Sequence, residues 1–240
     1  MATAEFEIRP YVPADREAIR RICFETGYMG EPIDWIWRDR ESFSDLITRY
    51  YTDREPESIF VAARGRDVVG YLTGCVDSER TRGVAAAEVG RQLLRGGLLR
   101  PGFGAFLSRA LLDSVRDRGV RGEALFDARF PAHLHIDLLP EGRGRGLGRR
   151  LLELWFARLR SLGVPGVHLG TFAENTAAIR FFEGCGLTRE GVPAPAPGFR
   201  LREGGVRDPG LRARRSRGDP ADLLRDRLHG RADRLDLAGS

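Results

Sequence analysis

Apolar residues recur along the chain with two periods, and the changes between them mark the elements. Phe6 to Arg9 alternates as a short strand. Pro13–Ala14–Asp15 opens a helix whose apolar face carries Ile19, Ile22 and Cys23. Ser42 to Tyr51 has the amphipathic spacing of a second helix. Two strand-like runs follow, Ile59–Ala63 and Val68–Val76, joined by Arg64–Gly65–Arg66–Asp67; a short polar connection containing glycine predicts an antiparallel hairpin. Residues 78–130 are helical in texture and interrupted by glycine, with Leu93, Leu94, Leu98 and Leu99, then Phe106, Leu111, Leu112 and Val115. They read as a helical insertion before the next strand, His133–Leu139, which Pro140 ends. Leu151, Leu152, Trp155, Phe156, Leu159 and Leu162 then define one face of a helix, with Gly163 placed to cap its C-terminus. Val167–Phe172 is a further strand, and Asn175–Cys185 a further helix stopped by Gly186.

This order predicts an α/β (α+β) fold with a central mixed sheet flanked by helices. A strand, a helical crossover and a second strand form a right-handed unit in nearly all proteins, so strands 133–139 and 167–172 should be parallel. The texture changes beyond Pro193: Val192–Pro197 reads as a Pro/Ala linker, and Phe199–Arg202 as one more short strand. Residues 207–240 are a dense Arg/Asp/Gly mix without an aromatic residue or sustained alternation. The expectation is one domain over residues 1–206 and a disordered, exposed tail over 207–240.

Composition narrows the class. No run approaches the ~20 apolar residues of a membrane helix. Met1 to Glu7 lacks the basic-then-apolar layout of a leader, so the expectation is a cytoplasmic protein without a membrane partner. Cys23, Cys75 and Cys185 are odd in number and widely spaced, forming neither a disulfide framework nor a metal-binding pair. All 39 basic residues are arginine, and a chain without lysine has no Walker-type phosphate loop. The net charge is +5, but residues 207–240 hold nine Arg and six Asp, leaving only +2 elsewhere. No nucleic-acid partner is predicted from that balance. Nothing in the sequence reports on a homodimer.

The chemistry concentrates between His133 and Phe172. Strand and helix are joined by a loop containing Arg143–Gly144–Arg145–Gly146–Leu147–Gly148. Glycines let such a loop fold tightly and present successive N–H groups, and the following helix adds its own unpaired N–H groups and positive dipole end. Together these suit a pyrophosphate. The GxGxGxG spacing from Gly142 to Gly148 differs from the GxGxxG of dinucleotide folds. The strand itself reads His133-Leu134-His135-Ile136-Asp137-Leu138, so His133, His135 and Asp137 share one face. Three titratable groups on one face of a buried strand are costly unless paired or hydrated, which suggests a face lining a cleft. His-x-His-x-Asp also has ligand chemistry, but His168 and His229 stand in no fitting motif, and no metal is predicted.

The run Arg143-x-x-Gly146-x-Gly148 matches the Gln/Arg-x-x-Gly-x-Gly/Ala signature of the GNAT acetyltransferases. Leu138–Leu139–Pro140–Glu141 resembles that family's lead-in, and Asn175-x-x-Ala178 with Gly186–Leu187 resembles its later helix. The resemblance covers roughly residues 6–190. It implies an acyl-CoA-dependent N-acyltransferase that moves acetyl from acetyl-CoA to a small-molecule or protein amine by direct attack. It further implies that amides from Arg143 to Gly148 grip the CoA pyrophosphate. The two parallel strands would splay after Leu138 and Thr171, with the pantetheine arm beside Leu138, Leu139 and Pro140 and the Leu138 N–H polarising the thioester carbonyl. Asn175 would contact the cofactor arm. The His-x-Asp strand is similar to that of acetyltransferase-like domains found beside O-GlcNAc hydrolases, and it nominates Asp137 as base with His135 as its partner. Two departures stand out. Phe182 occupies the position where the family often has a tyrosine to protonate the leaving thiolate, which admits a catalytically silent acyl-CoA-binding module as the alternative. The usual last strand pair also has no match other than Phe199–Leu201.

Overall fold

The computed structural model describes residues 5–35, 37–100, 103–104, 128–171, 174–187 and 232–236. Within them, the alternating runs are strands and the longer-period runs are helices. In chain order these are β1 (Phe6–Pro10), α1 (Arg16–Glu25), α2 (Arg40–Arg54), β2 (Ile59–Arg64) and β3 (Asp67–Cys75). α3 (Val84–Leu94), β4 (Ala132–Leu138), α4 (Leu147–Ser161), β5 (Gly166–Gly170), α5 (Thr176–Gly184) and β6 (Ala232–Asp236) follow. The strands form one mixed sheet in the order β1-β2-β3-β4-β5-β6. Only β4 and β5 are parallel; the other neighbours are antiparallel. The hairpin turn between β2 and β3 is tighter than expected, because Arg64 and Asp67 are themselves paired. Gly65 takes the left-handed conformation that such a turn requires.

Each sheet face carries its own apolar layer. On one, Ile19, Ile22 and Cys23 of α1 and Phe43 and Tyr51 of α2 pack on Ile59, Val61, Tyr71 and Cys75. On the other, Leu151, Leu152, Trp155, Phe156 and Leu159 of α4 pack on Ala62, Leu72, Leu134 and Val167. Burying each such aliphatic or aromatic side chain is worth about 1.5–3 kcal/mol. Gly74 has a specific duty in this layer. A Cβ there would overlap the ring of the fully buried Trp155, so glycine lets the indole lie against β3.

The insertion begins as predicted, with a 3-10 turn at Ser78–Thr81, then α3, then a 3-10 turn at Gly97–Leu99. Its second half, containing Phe106, Leu111, Leu112 and Val115, lies outside the described residues, as do the linker, Phe199–Arg202 and the 206/207 boundary. The tail differs from expectation in one place. Ala232–Asp236 is a strand, antiparallel to β5 from Gly166↔Asp236 to Gly170↔Ala232. Its sequence lacks an apolar face because an edge strand is held by backbone pairing, which leaves no side-chain pattern to read. Among the described residues, no helix is long and apolar enough to cross a membrane.

Candidate active site

The site is built where β4 and β5 part. They pair only at Ala132↔Val167 and His133↔His168. The splay therefore starts near the beginning of the two strands, earlier than the expected point after Leu138 and Thr171. Beyond it, among the described residues, no strand pairs with that edge of β4. Leu139 N–H donates to Val69 O across the β3 side at 2.8 Å. Amide direction alternates along a strand, so the N–H and C=O of Leu138 point the other way, into the gap. A close approach positions Leu138: a Cβ on Gly70, its partner across β3, would overlap the Leu138 side chain.

The loop after β4 makes a 3-10 turn at Pro140–Gly142 and enters α4 through Gly144 and Gly146, at φ 69° and 74°. The N-cap of α4 is Gly146, which has no side chain to cap it, so the first amides of the helix face outward with the positive end of its dipole. A Cβ on Gly144 or Gly146 would meet nothing within 4 Å, so open space lies in front of the loop. Gly148 has a different role: its Cβ would sit 3.0 Å from Phe181 Cζ and 3.4 Å from Leu138 Cδ1, so it serves helix packing. The loop arginines turn back on the protein. Arg145 Nε donates to Glu141 O at 2.8 Å, and its guanidinium lies 5.0 Å from the Phe6 ring centroid. Arg143 Nε donates to Leu138 O at 2.9 Å and its Nη2 to Gly30 O, strapping the α1–α2 connection to the end of β4. What the loop presents in front of α4 is therefore backbone amides and the positive end of the helix dipole.

The opposite face of β4 carries the titratable groups. Tyr71 O–H donates to Asp137 Oδ2 at 2.8 Å. His135 lies edge-on to Tyr51, with ring centroids 5.6 Å apart. His133 departs from the expected cleft-lining role. Ser78 Oγ donates to Pro131 O at 2.8 Å and lies 2.7 Å from His133 Nδ1. The single hydroxyl proton is thereby committed, so His133 Nδ1–H is the donor to Ser78. In the neutral ring Nε2 then accepts from Tyr51 O–H at 2.7 Å. Burial, followed by His135 and His168, holds the His133 pKa well below the usual imidazole value. The chain Tyr51–His133–Ser78 ends on a carbonyl, which accepts no proton for onward transfer. His133 is a strut that holds Tyr51 against His135. His168 is similarly fixed, with Nδ1–H donating to Phe130 O at 2.8 Å.

Asn175 is the N-cap of α5, and its Oδ1 accepts from Ala178 N–H at 3.1 Å. Its oxygen is committed to the helix, leaving the amide NH₂ as the end available to a ligand. Beside it, Glu174 is close enough for its charge to add to burial in raising the Tyr28 pKa. Tyr28 and Gly30 thus bring the α1–α2 connection against the mouth of the splay. Met29 between them has φ 51°, a conformation uncommon outside glycine. Phe182 packs into the α4-side core and lies 5.2 Å from the Phe181 ring. Among the described residues, no group of three His, Cys, Asp or Glu side chains is arranged to hold a metal ion.

The structure therefore brings Asp137, His135, Leu138 and the Gly142–Gly148 loop to one end of the sheet, with Asn175 across the gap. Sequence reasoning missed Tyr71, Tyr51, Ser78 and Gly70. Gly70 was detectable as an isolated glycine inside a strand, a mark of close backbone approach. The others depend on cross-strand register and helix docking, which leave no local signal.

A model described as the Acetyltransferase (GNAT) family matches residues 122–187, which contain β4, the loop, α4, β5 and α5. The crystal structure of SsHAT is similar, with a TM-score of 0.63 and 33% sequence identity over 80% of this chain and 95% of that one. The chain belongs to the GNAT acetyltransferase family. A mycothiol acetyltransferase of Thermobispora bispora is 50% identical over 50 residues, or 21% of this chain and 17% of that protein. One from Geodermatophilus obscurus is 43% identical over 53 residues, or 22% of this chain and 17% of that protein. The match thus spans under one fifth of the length of these relatives.

Proposed function

We propose that this protein transfers an acetyl group from acetyl-CoA to a primary amine by direct attack. The observation that carries the reading is the junction at the end of β4. There an uncapped helix behind two left-handed glycines faces open space, and a carboxylate stands one residue before the strand's last amide. Amides from Arg143 to Gly148 would hold the CoA pyrophosphate, with the Asn175 amide and the edge of β4 at Leu138, followed by Leu139 and Pro140, beside the pantetheine arm. When bound, the co-substrate supplies an activated acyl carbonyl. The Leu138 N–H, directed into the gap, would stabilise negative charge developing on that carbonyl oxygen. A reactive amine must be neutral, so Asp137, directly or through His135, takes its proton. Phe182 has no proton to give, and departure of the thiolate then relies on solvent.

The alternative is a silent acyl-CoA-binding module, which the phenylalanine at position 182 favours. The deciding experiment has two stages. A thermal-shift titration with acetyl-CoA comes first, followed by measurement of free-thiol release against a panel of small amines and amine-bearing peptides. Stabilisation with amine-dependent thiol release is expected. Stabilisation without release from any amine would make the protein a binding module, and no stabilisation would remove the anion site.

A further inference from the structure

Where the α1–α2 connection meets the end of β4 it makes a tight turn. Tyr28 N–H donates to Glu31 O at 2.9 Å, and Glu31 N–H donates back to Tyr28 O at 2.8 Å. The two residues between them, Met29 and Gly30, both have positive φ, at 51° and 92°. Such a turn favours Asn, Asp or Gly at its central positions. Methionine at the first is strained, and a strained backbone persists where its surroundings hold it. Arg143 supplies a hold. Its Nη2 donates to Gly30 O while its Nε donates to Leu138 O at 2.9 Å. The guanidinium lies so close over Gly30 that a Cβ there would come within 3.1 Å of Nη2 and 3.3 Å of Cζ. Glycine thus both turns the chain here and admits the arginine.

Asp137 lies on the sheet face that α1 and α2 cover, since it takes a bond from Tyr71 of that layer. An amine bound for Asp137 would therefore pass the α1–α2 connection, whose turn is pinned to the end of β4. We propose that Arg143 is a positioning residue whose side chain latches the Tyr28–Glu31 turn to Leu138 and so sets the acceptor side of the gap. This rests on the reading of the gap as the place of acyl transfer. One side chain then joins the residue whose amide would face the thioester to the turn that the amine passes. The turn also reaches across the gap, where Glu174 stands near Tyr28. Trp35 packs edge-on to Tyr28, with ring centroids 4.9 Å apart, so releasing Gly30 would shift two aromatic rings. The chemistry of the latch selects arginine. A guanidinium offers its donors in a rigid fork that reaches two carbonyls at once, whereas lysine is a point charge on a flexible stem and glutamine a shorter amide. The glutamine that the loop signature accepts at this position is therefore not equivalent in this chain.

Arg143→Lys and Arg143→Gln provide the test, the first keeping the charge and neither keeping the fork. The first readout is hydrogen exchange of the free protein by mass spectrometry, which needs no turnover. Exchange at the Tyr28–Glu31 turn should quicken by about tenfold or more in both variants, as expected for one lost charge-assisted bond, while β3 and α4 keep their protection. The second readout is kinetic, with the small amine that gives the fastest thiol release. Its KM should rise by about tenfold in both variants, with Kd for acetyl-CoA within about twofold of the parent. Unchanged exchange in the turn overturns the proposal whether or not the enzyme turns over. Quickened exchange with an unaltered KM for the amine also overturns it, because the turn would then be held without forming the acceptor side. A weaker Kd for acetyl-CoA in Arg143→Gln that Arg143→Lys restores, with exchange in the turn unmoved, would make Arg143 a phosphate contact instead. Quickened exchange in a protein that releases thiol with no amine upholds the hold of Arg143 on the turn and sinks the transferase reading.

Discussion

Replacing Gly146 with alanine separates the backbone cost of the anion loop from its function. Gly146 has φ 74°, and a Cβ there meets no heavy atom within 4 Å, so no steric term enters the folded protein. What remains is the penalty for an L-residue in the left-handed region, about 1–2 kcal/mol. For a domain of this size each kcal/mol lowers the melting temperature by about 2–4 °C. The effect on binding should be larger. The new methyl projects into the open space in front of the α4 amides, and each charge-assisted bond lost there is worth about 1.5–3 kcal/mol. One or two such bonds correspond to roughly 10- to 10⁴-fold in Kd. Gly163 supplies the control. It has φ 67°, its Cβ would also meet nothing within 4 Å, and it lies past the far end of α4, where it ends the helix. Gly163→Ala should lose a similar few degrees and bind acetyl-CoA as the parent does. Isothermal titration with acetyl-CoA, together with melting curves of all three proteins, provides the comparison. If Gly146→Ala loses the same stability as Gly163→Ala and keeps the parent Kd, the pyrophosphate is not held at this loop.

Three further outcomes are expected. Asp137→Asn keeps the shape of the side chain but not its basicity, so turnover should fall by about 10²–10⁴-fold with acetyl-CoA binding retained; full turnover with an unchanged pH profile would make Asp137 structural. His133 binds its proton more weakly folded than unfolded, so the unfolded state takes up more protons below the ordinary imidazole pKa. Stability should therefore fall with decreasing pH from about 6.5, by up to about 1.4 kcal/mol per unit. His133→Gln should lose that one-proton slope in urea melts between pH 7 and 5, and an unaltered slope would show that His133 is not the group responsible. Truncation after Arg231 removes β6 and leaves the outer edge of β5 unpaired. A lower melting temperature and self-association on gel filtration are expected, and an unchanged protein on both measures would mean that β6 contributes nothing to the sheet.

Much of this protein is legible locally. The apolar stripe Leu151–Leu159 and the alternation in Ile59–Ala63 and Val68–Val76 reflect side chains that must all reach one core. Burial imposes a period on the sequence, and the period reveals the element. Within the glycine run from Gly142 to Gly148, Gly144 and Gly146 are legible for the same kind of reason, because left-handed backbone conformations exclude most other residues. The strand face of His133, His135 and Asp137 also follows from alternation alone. Local rules could not divide the labour on that face. Making His133 a neutral strut and leaving Asp137 on Tyr71 required the β3–β4 register and the docking of α2, which bring in Tyr51, Ser78 and Tyr71 from 55 to 82 residues away. The early splay of β4 from β5, the turning back of Arg143 onto Gly30 and the pairing of β6 with β5 are likewise tertiary. Each turns on which backbone groups find a partner, and nearly every residue carries the same backbone donor and acceptor, so these partners leave little mark in the order of side chains.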